Sequence, residues 1–406
     1  MSNQNIIALI DCDSFFVSCE RVLNPELKGL PVSVVSGDRG CVISRSREAK
    51  NLGVPMGIPL FQAVEKYPQC LYISAHHYAY TKLSQAVMAI LKEFSPNVEV
   101  YSIDEAFVDF TGLTRLYKQN YFKLAKTIQD RILKEVGIPV TIGVSTTKTL
   151  AKLASDKAKN TSTRIALVGK NKQEQVLNYT DIQEVWGIGR KLGVKLRGLG
   201  VRTALDYIKK DDEWIKKRFG KNGLAIKAEL MGIKVSSISN VIELPKSISD
   251  TKSFSEFSSD LQFLKNELMI HIHEVSSRLR KIDCKTNKIG VILKTKDFRT
   301  LYLTKDLTSA TNFEFEISKE AFPLLEQMYS SDTFYRSVGI VLENFTRNSE
   351  EQLLLFDQNP KREANEKLGK SLDKLEQKFG RNIVRTGFVN KNVEFKQGFL
   401  TSPKDV

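Results

Sequence analysis

Two adjacent carboxylates, Asp104 and Glu105, interrupt a strongly apolar segment, and they restrict the fold more than any other feature. In VEVYSIDEAFVDF (98–110), apolar and polar residues alternate before the pair, and an apolar run resumes after it. This pattern predicts two β-strands joined by a tight reversal at 102–105, or one long strand with the pair at its middle. Half-buried, ionised carboxylates are unfavourable unless cations compensate them. The alternative is a pair of solvated turn residues.

A second apolar segment ends in another carboxylate. IIALIDCDSFFVSCE (6–20) begins like a central buried strand and places Asp11 at the strand's end. A carboxylate beside the Asp104–Glu105 reversal suits two hard divalent cations such as Mg²⁺, which prefers carboxylate oxygens and substrate phosphates. Asp13 competes as a ligand, but its position just before a helical segment predicts a helix N-cap instead.

The charge balance restricts the partner. The 406 residues carry a formal net charge of +14, with a pI near 9.3, which favours a polyanion such as nucleic acid. No apolar run approaches ~20 residues and no signal-peptide pattern opens the chain, so we expect neither a membrane span nor secretion. The five cysteines are odd in number and form no CxxC motif, which indicates reduced thiols in the cytoplasm.

The periodicity along the chain predicts a multidomain α+β protein. Strands alternate with helices over 77–165, which predicts an α/β sheet with helices on one face. Residues 14–76 contain a hairpin and two short helices. An aperiodic, serine-containing stretch predicts a linker at 236–250. Beyond it, 251–348 is predicted to contain two helices and four strands, and FEFEI (313–317) counts among the strands.

One segment has the pattern of a phosphate-binding motif. IQEVWGIGRKLGVKLRGLGVRTALDY (182–207) fits a helix–hairpin–helix. Gly187 and Gly189 allow the backbone to approach a phosphate at a helix N-terminus, and Arg190 and Lys191 add charge. Such a motif holds a DNA backbone without reading its sequence. The alternative is a plain turn.

A second group of basic residues lies on predicted strands. Lys294, Lys296 and Arg299 alternate with β-branched and aromatic residues in the hairpin at 287–307. A strand face of this kind suits duplex phosphates. Alternating lysines on an exposed strand can also merely protect a sheet edge.

Three motifs together resemble a known family. IDCDSFF (10–16), YSIDEAF (101–107) and VTIGVSTTKTLAKLASDKAK (140–159) occur in this order, as in the Y-family, or lesion-bypass, DNA polymerases. DRGCVISRSREAKNLGVPMG (38–57) is similar to the UmuC-like branch, including the Gram-positive UvrX-like proteins. The resemblance implies a right-hand polymerase with these parts: a ferredoxin-like palm (1–13 and 77–165), small fingers (14–76), a helical thumb with the helix–hairpin–helix (166–235), a linker (236–250), a βαββ-type little finger (251–348) and a tail (349–406).

The resemblance also implies roles for single residues. Asp11, Asp104 and Glu105 would bind two Mg²⁺. Cys12 would contribute a backbone carbonyl. Phe16 would be a steric gate, since a ring under the sugar leaves no room for a 2′-hydroxyl. The incoming triphosphate would be held by three basic residues, Arg47, Lys50 and Lys159.

The tail contains an apolar cluster in a polar context. By resemblance, residues 352–356 are the peptide with which bacterial polymerases dock on the sliding clamp; its contacts would come from Gln352, Leu353, Leu355 and Phe356. The alternative is packing onto the little finger. An amphipathic helix predicted at 364–380 could dock a partner or the protein itself.

These features predict a monomeric DNA-dependent DNA polymerase for translesion synthesis. It would transfer nucleotides from dNTPs to the primer 3′-hydroxyl of primer–template DNA, with two metal ions and without proofreading. Nucleotidyl cyclases share such a sheet and its carboxylates, but they need no thumb. The other alternative is a non-catalytic, clamp-tethered DNA-binding scaffold of polymerase descent.

Overall fold

The computed structural model describes residues 5–37, 40–239, 244–348 and 362–379. The chain divides into two compact units, Met1–Ile242 and Glu243–Val406. None of the helices in the described ranges has the length and apolar character needed to cross a membrane.

Strands and helices alternate in the first unit. Its strands are β1 (Ile7–Cys12), β2 (Val32–Val35), β3 (Val42–Arg45), β4 (Leu71–Ser74), β5 (Val98–Val100), β6 (Glu105–Asp109), β7 (Val140–Ser145) and β8 (Ile165–Leu167). Its helices are α1 (Phe15–Leu23), α2 (Arg47–Asn51), α3 (Leu60–Lys66), α4 (His77–Phe94), α5 (Leu113–Leu116), α6 (Tyr121–Val136), α7 (Lys148–Ala158), α8 (Lys170–Asn178), α9 (Arg190–Gly198), α10 (Ala204–Ile208) and α11 (Asp212–Leu230).

A five-stranded sheet with the order β5-β6-β1-β7-β8 forms the centre of this unit. Two of its three inner strands, β1 and β7, are buried along their whole length. Such burial explains the near-continuous apolar sequence of β1, because both faces of a covered strand avoid water. A second, three-stranded sheet, β3-β2-β4, lies with α2 and α3 in the predicted fingers.

Helices cover both faces of the five-stranded sheet, so the prediction of helices on one face is wrong. Ile10 of β1 packs in one core with residues of α4 and α6, whereas Ile7 and Leu9 pack with Ala151 of α7. Alternate side chains of a strand point to opposite faces, so α7 covers the second face. The apolar pattern of α7 does not specify a face, and this caused the error.

The predicted thumb is helical. Leu150 and Leu153 of α7 share a core with residues from the segment that contains α8 to α11. Helix α7 therefore lies between the central sheet and the thumb helices.

The second unit has a simple order of elements. They are β9 (Ser247–Ser258), α12 (Leu261–Lys281), β10 (Cys284–Thr295), β11 (Thr300–Thr311), α13 (Glu314–Met328), β12 (Tyr335–Arg347) and α14 (Arg362–Phe379). Its antiparallel sheet has the order β11-β10-β12-β9. Apolar residues of α12 and α13 form one core with Ile289, Val291 and Leu293, so both helices cover the same face. On the open face, the ring of Tyr302 lies against Gly290.

Two predictions for this unit are wrong. FEFEI (313–317) is not a strand, because 314–317 form the first turn of α13, where Glu314 and Glu316 interact favourably with the helix dipole. The fourth strand is β9, whose residues 247–250 fall in the predicted linker. Most of its side chains are exposed, so it lacks the apolar alternation that indicates a strand.

Helix α14 packs on the unit's own helix α12. The Arg280 guanidinium contacts both carboxylate oxygens of Asp373, at 2.7 and 2.8 Å. His273 Nε2 lies 2.9 Å from Glu376, and Leu372 is buried. Of the two alternatives for this helix, the structure therefore shows docking on the protein itself.

Candidate active site

The end of β1 and the reversal between β5 and β6 bring three carboxylates together. Asp11 and Glu105 are direct partners in the antiparallel pairing of β1 with β6, so their side chains project from the same face. The adjacent Asp104 accepts a hydrogen bond of 2.9 Å on its carbonyl from the N–H of Cys12. We call Asp11, Asp104 and Glu105 the acidic corner. Of the predicted alternatives, two strands with a tight reversal is correct.

The reversal is fixed by a serine. Ser102 Oγ accepts hydrogen bonds from the backbone N–H groups of Asp104 and Glu105, at 3.2 and 3.0 Å. The hydroxyl of Ser84 in α4 donates to the carbonyl of Ile103. A short polar side chain that satisfies backbone donors is the usual way to stabilise such a turn. The two carboxylates are thereby held at one place.

Two lysines of the segment that begins with α7 compensate the acidic corner. Lys152 Nζ lies 2.7 and 2.9 Å from the two carboxylate oxygens of Glu105. Lys159, which follows the helix directly, lies 2.7 Å from Asp11. Lys152 was not predicted from the sequence, since its contact depends on which face of the sheet α7 covers. Lys148 of the same helix contacts both carboxylate oxygens of Glu99.

The electrostatics of the corner favour additional positive charge. Burial raises the pKa of Asp11 to about 6; Lys159 opposes this rise, whereas Glu105 and Asp104 add to it. Among the described residues, no group of three acidic, histidine or cysteine side chains is arranged to hold a metal ion as it stands. Carboxylate oxygens are the ligands that Mg²⁺ prefers. The ammonium groups of Lys152 and Lys159 supply the positive charge beside them. The residues of the corner therefore fit hard divalent cations.

Asp13 does not cap α1, so that prediction is wrong. The N-cap is Ser14, which has a φ of 46° and makes no side-chain capping bond. The carboxylate of Asp13 instead accepts a 2.6 Å hydrogen bond from Thr141 Oγ1 and lies 3.6 Å from Arg164. Thr141 is available because β7 pairs with β1 directly beside it.

Basic residues gather next to the corner. Lys50 donates to Ser14 Oγ at 3.1 Å. Burial lowers the pKa of Lys50; Arg45, Lys159 and Arg164 lower it further, and only Asp13 among its main neighbours opposes this. Like charges that depress a lysine pKa in this way indicate a site prepared for an anion. Arg45 belongs to this group, and so does Arg164, which the sequence did not single out. Arg47 is exposed at the first residue of α2.

Phe16 is held by a stacked tyrosine. Its ring lies 4.9 Å from that of Tyr80 at an interplanar angle of 21°. The Tyr80 hydroxyl donates to Glu20, whose buried carboxylate also contacts His76. Phe16 itself is only partly buried, whereas Phe15 belongs to the core. The backbone of the buried Cys12 lies beside Asp104.

The other predicted site residues belong to different elements of the two units. Gly187 has a φ of 90° and Gly189 is the N-cap of α9, where Arg190 and Lys191 are exposed. In the second unit, Lys294 is the penultimate residue of β10, and Lys296 and Arg299 are exposed in the loop that follows this strand. The predicted clamp peptide at 352–356 lies outside the described residues.

Comparisons with known proteins define the class. The impB/mucB/samB family matches residues 10–156, and the C-terminal domain of the impB/mucB/samB family matches residues 245–355. UmuC of Salmonella typhimurium is 32% identical over 391 residues, or 93% of this chain and 92% of that protein. DNA polymerase IV 1 of Bacillus subtilis is 30% identical over 407 residues, or 98% of this chain and 97% of that protein.

Solved structures agree with these relatives. A Y-family DNA polymerase chimera of Dbh and Dpo4 matches with a TM-score of 0.73 and 28% identity, over 84% of this chain and 100% of the other. An insertion ternary complex of Dbh DNA polymerase matches with a TM-score of 0.58 and 27% identity, over the same shares. The fold is therefore that of the Y-family polymerases.

The chain belongs to the impB/mucB/samB family of Y-family DNA polymerases. It is a DNA-directed DNA polymerase of the translesion type, so the predicted fold class and activity are confirmed.

Proposed function

We propose that this polymerase joins a dNTP to the primer 3′-hydroxyl at the acidic corner, where Asp11, Asp104 and Glu105 hold two Mg²⁺. Cys12 would add a backbone carbonyl. The pairing of Asp11 with Glu105 across β1 and β6 supports this most strongly, because it places two carboxylates from distant segments on one face. An ammonium group lies 2.7 Å from each of them, which marks the corner as a place for positive charge.

The metals, when bound, would lower the pKa of the primer hydroxyl and stabilise the leaving pyrophosphate. Their charge would also release Lys152 and Lys159 from the carboxylates, since a divalent cation satisfies a carboxylate better than an ammonium does. Lys159 and Lys50 would then neutralise the triphosphate. We assign Arg47 to the same anion from the N-terminus of α2.

Primer extension tests this assignment. Asp104→Ala removes a carboxylate from a turn that Ser102 holds through backbone groups, so the fold should survive. We expect extension with Mg²⁺ to fall by at least about a thousandfold, because the metals supply most of the electrostatic stabilisation. Affinity for primer–template DNA should stay within about threefold, since the Asp104 carboxylate contacts no DNA phosphate in this scheme.

The control is Asp109→Ala, a carboxylate at the other end of β6. It should extend primers at nearly the wild-type rate. Full activity of Asp104→Ala would refute the metal assignment. A wild-type chain that binds DNA but incorporates no nucleotide would instead support a non-catalytic scaffold.

Phe16 is proposed as the steric gate for the sugar. Its partly exposed ring is stacked on Tyr80, which is anchored to a buried carboxylate, so the ring cannot easily retreat from an added oxygen. Phe16→Ala should raise the use of ribonucleotides relative to deoxynucleotides by about tenfold to a hundredfold. Ratios of kcat/KM for the two sugars measure this, with Phe61→Ala, an exposed phenylalanine of α3, as the control. An unchanged ratio would remove Phe16 from this role.

DNA would be held outside the acidic corner. Gly187, Gly189, Arg190 and Lys191 would bind the duplex backbone at the N-terminus of α9. In the second unit, DNA phosphates would be bound by Lys294, Lys296 and Arg299. We also propose that the monomer works in the cytoplasm, in keeping with its five free thiols, and docks on the sliding clamp through residues 352–356. Loss of clamp-stimulated extension on deleting 352–356 tests this contact.

A further inference from the structure

One end of the open sheet in the second unit carries exposed phenylalanines next to basic side chains. Phe298, Phe334 and Phe257 are 65%, 54% and 46% exposed. The Arg336 guanidinium lies 3.9 Å from the ring centre of Phe298, and the Lys296 ammonium lies 5.6 Å from that of Phe257. We call these five residues the aromatic–basic patch.

Three chain segments build the patch at the same end of the sheet. Phe257 is at the end of β9, Phe334 precedes β12, and the hairpin between β10 and β11 contributes Lys296 and Phe298. The backbone N–H of Lys296 donates to the carbonyl of Phe334 at 2.8 Å. Phe257, Lys296 and Phe334 line an open cavity of about 410 Å³. The patch is therefore one continuous surface.

The backbone of Phe298 is strained, and the fold does not need its ring. Phe298 has a φ of 67° in the loop that joins β10 to β11. The N–H of Phe298 donates to the carbonyl of Thr295, and the N–H of Thr295 donates to the carbonyl of Arg299. This is the pattern of a hairpin turn that is followed by a residue in the left-handed conformation. Glycine or asparagine normally occupies this position, because a Cβ there is unfavourable. An exposed phenylalanine at such a position leaves its ring available to a ligand.

The charge of the patch suits an anion. Lys294, whose ammonium lies 5.2 Å from the Phe298 ring centre, and Arg299 add to Lys296 and Arg336. Asp297 in the loop and Glu256 beside Phe257 only partly offset them. A duplex presents phosphates but covers the faces of its bases, so exposed aromatic rings have no role in binding it. Rings interleaved with cations are typical of surfaces that bind single-stranded nucleic acid.

We propose that the aromatic–basic patch binds unpaired nucleotides of the template strand. Bases stack on Phe298 and Phe257, and the phosphates between them pair with Lys296 and Arg336. The choice of DNA as ligand rests on the polymerase function, and the proposal deepens that function by separating contacts to single-stranded template from contacts to duplex. Stacking is tolerant of sequence, because every base has a flat face.

Fluorescence anisotropy with the full chain tests the proposal. The probes are a labelled primer–template with a 5′ template overhang and a blunt duplex of the same sequence. Phe298→Gly removes the ring and relaxes the left-handed residue, so unfolding cannot explain a loss of binding. Affinity for the overhang DNA should fall on the order of tenfold. Affinity for the blunt duplex and the salt dependence should stay unchanged, because no charge is removed.

Two further variants sharpen the test. Phe298→Tyr keeps a ring and should bind the overhang like the wild type. Lys296→Gln should reduce the slope of log affinity against log salt for the overhang by about one. Equal losses with both DNAs, no loss for Phe298→Gly, or equal affinity of the wild type for both DNAs would overturn the inference. A wild-type chain that extends no primer contradicts the polymerase function instead, so the two failures are distinguishable.

Discussion

The two large sheets of this polymerase differ in how they are covered. The sheet of the first unit has helices on both faces, and its strands β1 and β7 are buried throughout. The sheet of the second unit has helices on one face, and β9 and β11 are mostly exposed. A fully covered sheet offers a ligand only its rim, where geometry is fixed by the core. A half-covered sheet offers a surface.

The charged side chains of the two sheets differ in the same way. The acidic corner lies at the rim of the covered sheet, where burial raises the pKa of Asp11 and each paired carboxylate contacts a lysine. On the half-covered sheet, cations lie over exposed rings. The first arrangement suits chemistry, which needs fixed carboxylates. The second suits a polyanion held by many weak contacts.

The largest effect on stability that would sharpen this comparison is expected from substitution of a glycine in the covered sheet. A Cβ at Gly143 of β7 would lie 2.1 Å from the backbone nitrogen of Ser155 and 2.3 Å from the carbonyl oxygen of Ala151. Backbone cannot move aside as a side chain does. Gly143→Ala should therefore lower the free energy of unfolding by about 3 kcal/mol, as measured by denaturant unfolding. Activity should fall as well, because displacement of α7 moves Lys152 and Lys159.

The matched control is Gly290→Ala in the half-covered sheet. A Cβ there would meet the ring of Tyr302 at 2.6 Å, but that ring is 45% exposed and can turn into solvent. We expect a loss below about 1 kcal/mol. Equal losses of unfolding free energy for the two variants would show that coverage of a sheet by helices does not control whether it tolerates an added side chain.

The sequence correctly predicted those parts of the molecule in which the local residue pattern has a single structural explanation. The apolar run of β1, the alternation before Asp104 and the apolar run after Glu105 predicted the strands whose ends carry the acidic corner. Long helices such as α12 were equally clear, because their periodicity extends over several turns. The family, fold class and polymerase activity followed from the motifs and are confirmed.

The errors arose where tertiary contacts decide the structure. Strand β9 is stabilised by pairing with β12, and its serines carry no signal of burial. FEFEI alternates like a strand, but Glu314 is buried against His273 in a helix. Lys152 reaches Glu105 only because α7 covers the second face of the sheet. The roles of the individual site residues stay predictions.

Helices α7 and α14 extend the comparison to docked helices. Helix α7 is held by close backbone packing on Gly143, and its Lys148 and Lys152 add ion pairs with Glu99 and Glu105. Helix α14 is held largely by ionic contacts: Arg280 with Asp373, and His273 between Glu314 of α13 and Glu376 of α14. Exposure of Leu368, Leu375 and Phe379 shows that little apolar surface supports this docking. The docking of α14 should therefore respond to pH more strongly than that of α7, whose packing on Gly143 involves no titratable group.

The smallest predicted effect is this pH response. The hydrogen bond to Glu314 raises the pKa of His273 to about 9 against the opposing effect of burial, and Glu376 adds to the rise. This pKa exceeds the ordinary histidine value. The ion pairs of His273 with Glu314 and Glu376 therefore stabilise the fold fully below pH 6.5, and this stabilisation is lost as the pH rises through 9. The free energy of opening α14 should fall by about 1 kcal/mol over this range.

Hydrogen exchange of residues 362–379, corrected for intrinsic rates, measures this opening. Glu376→Gln keeps the shape of the side chain but removes one of the two carboxylates that face His273, so it should weaken docking at neutral pH and reduce the pH dependence. Protection of α7 over the same range is the internal control. If α14 opened equally at pH 6 and pH 10, its docking would depend on pH no more than that of α7. The contrast between a helix held mainly by close packing and a helix held mainly by ion pairs would then fail.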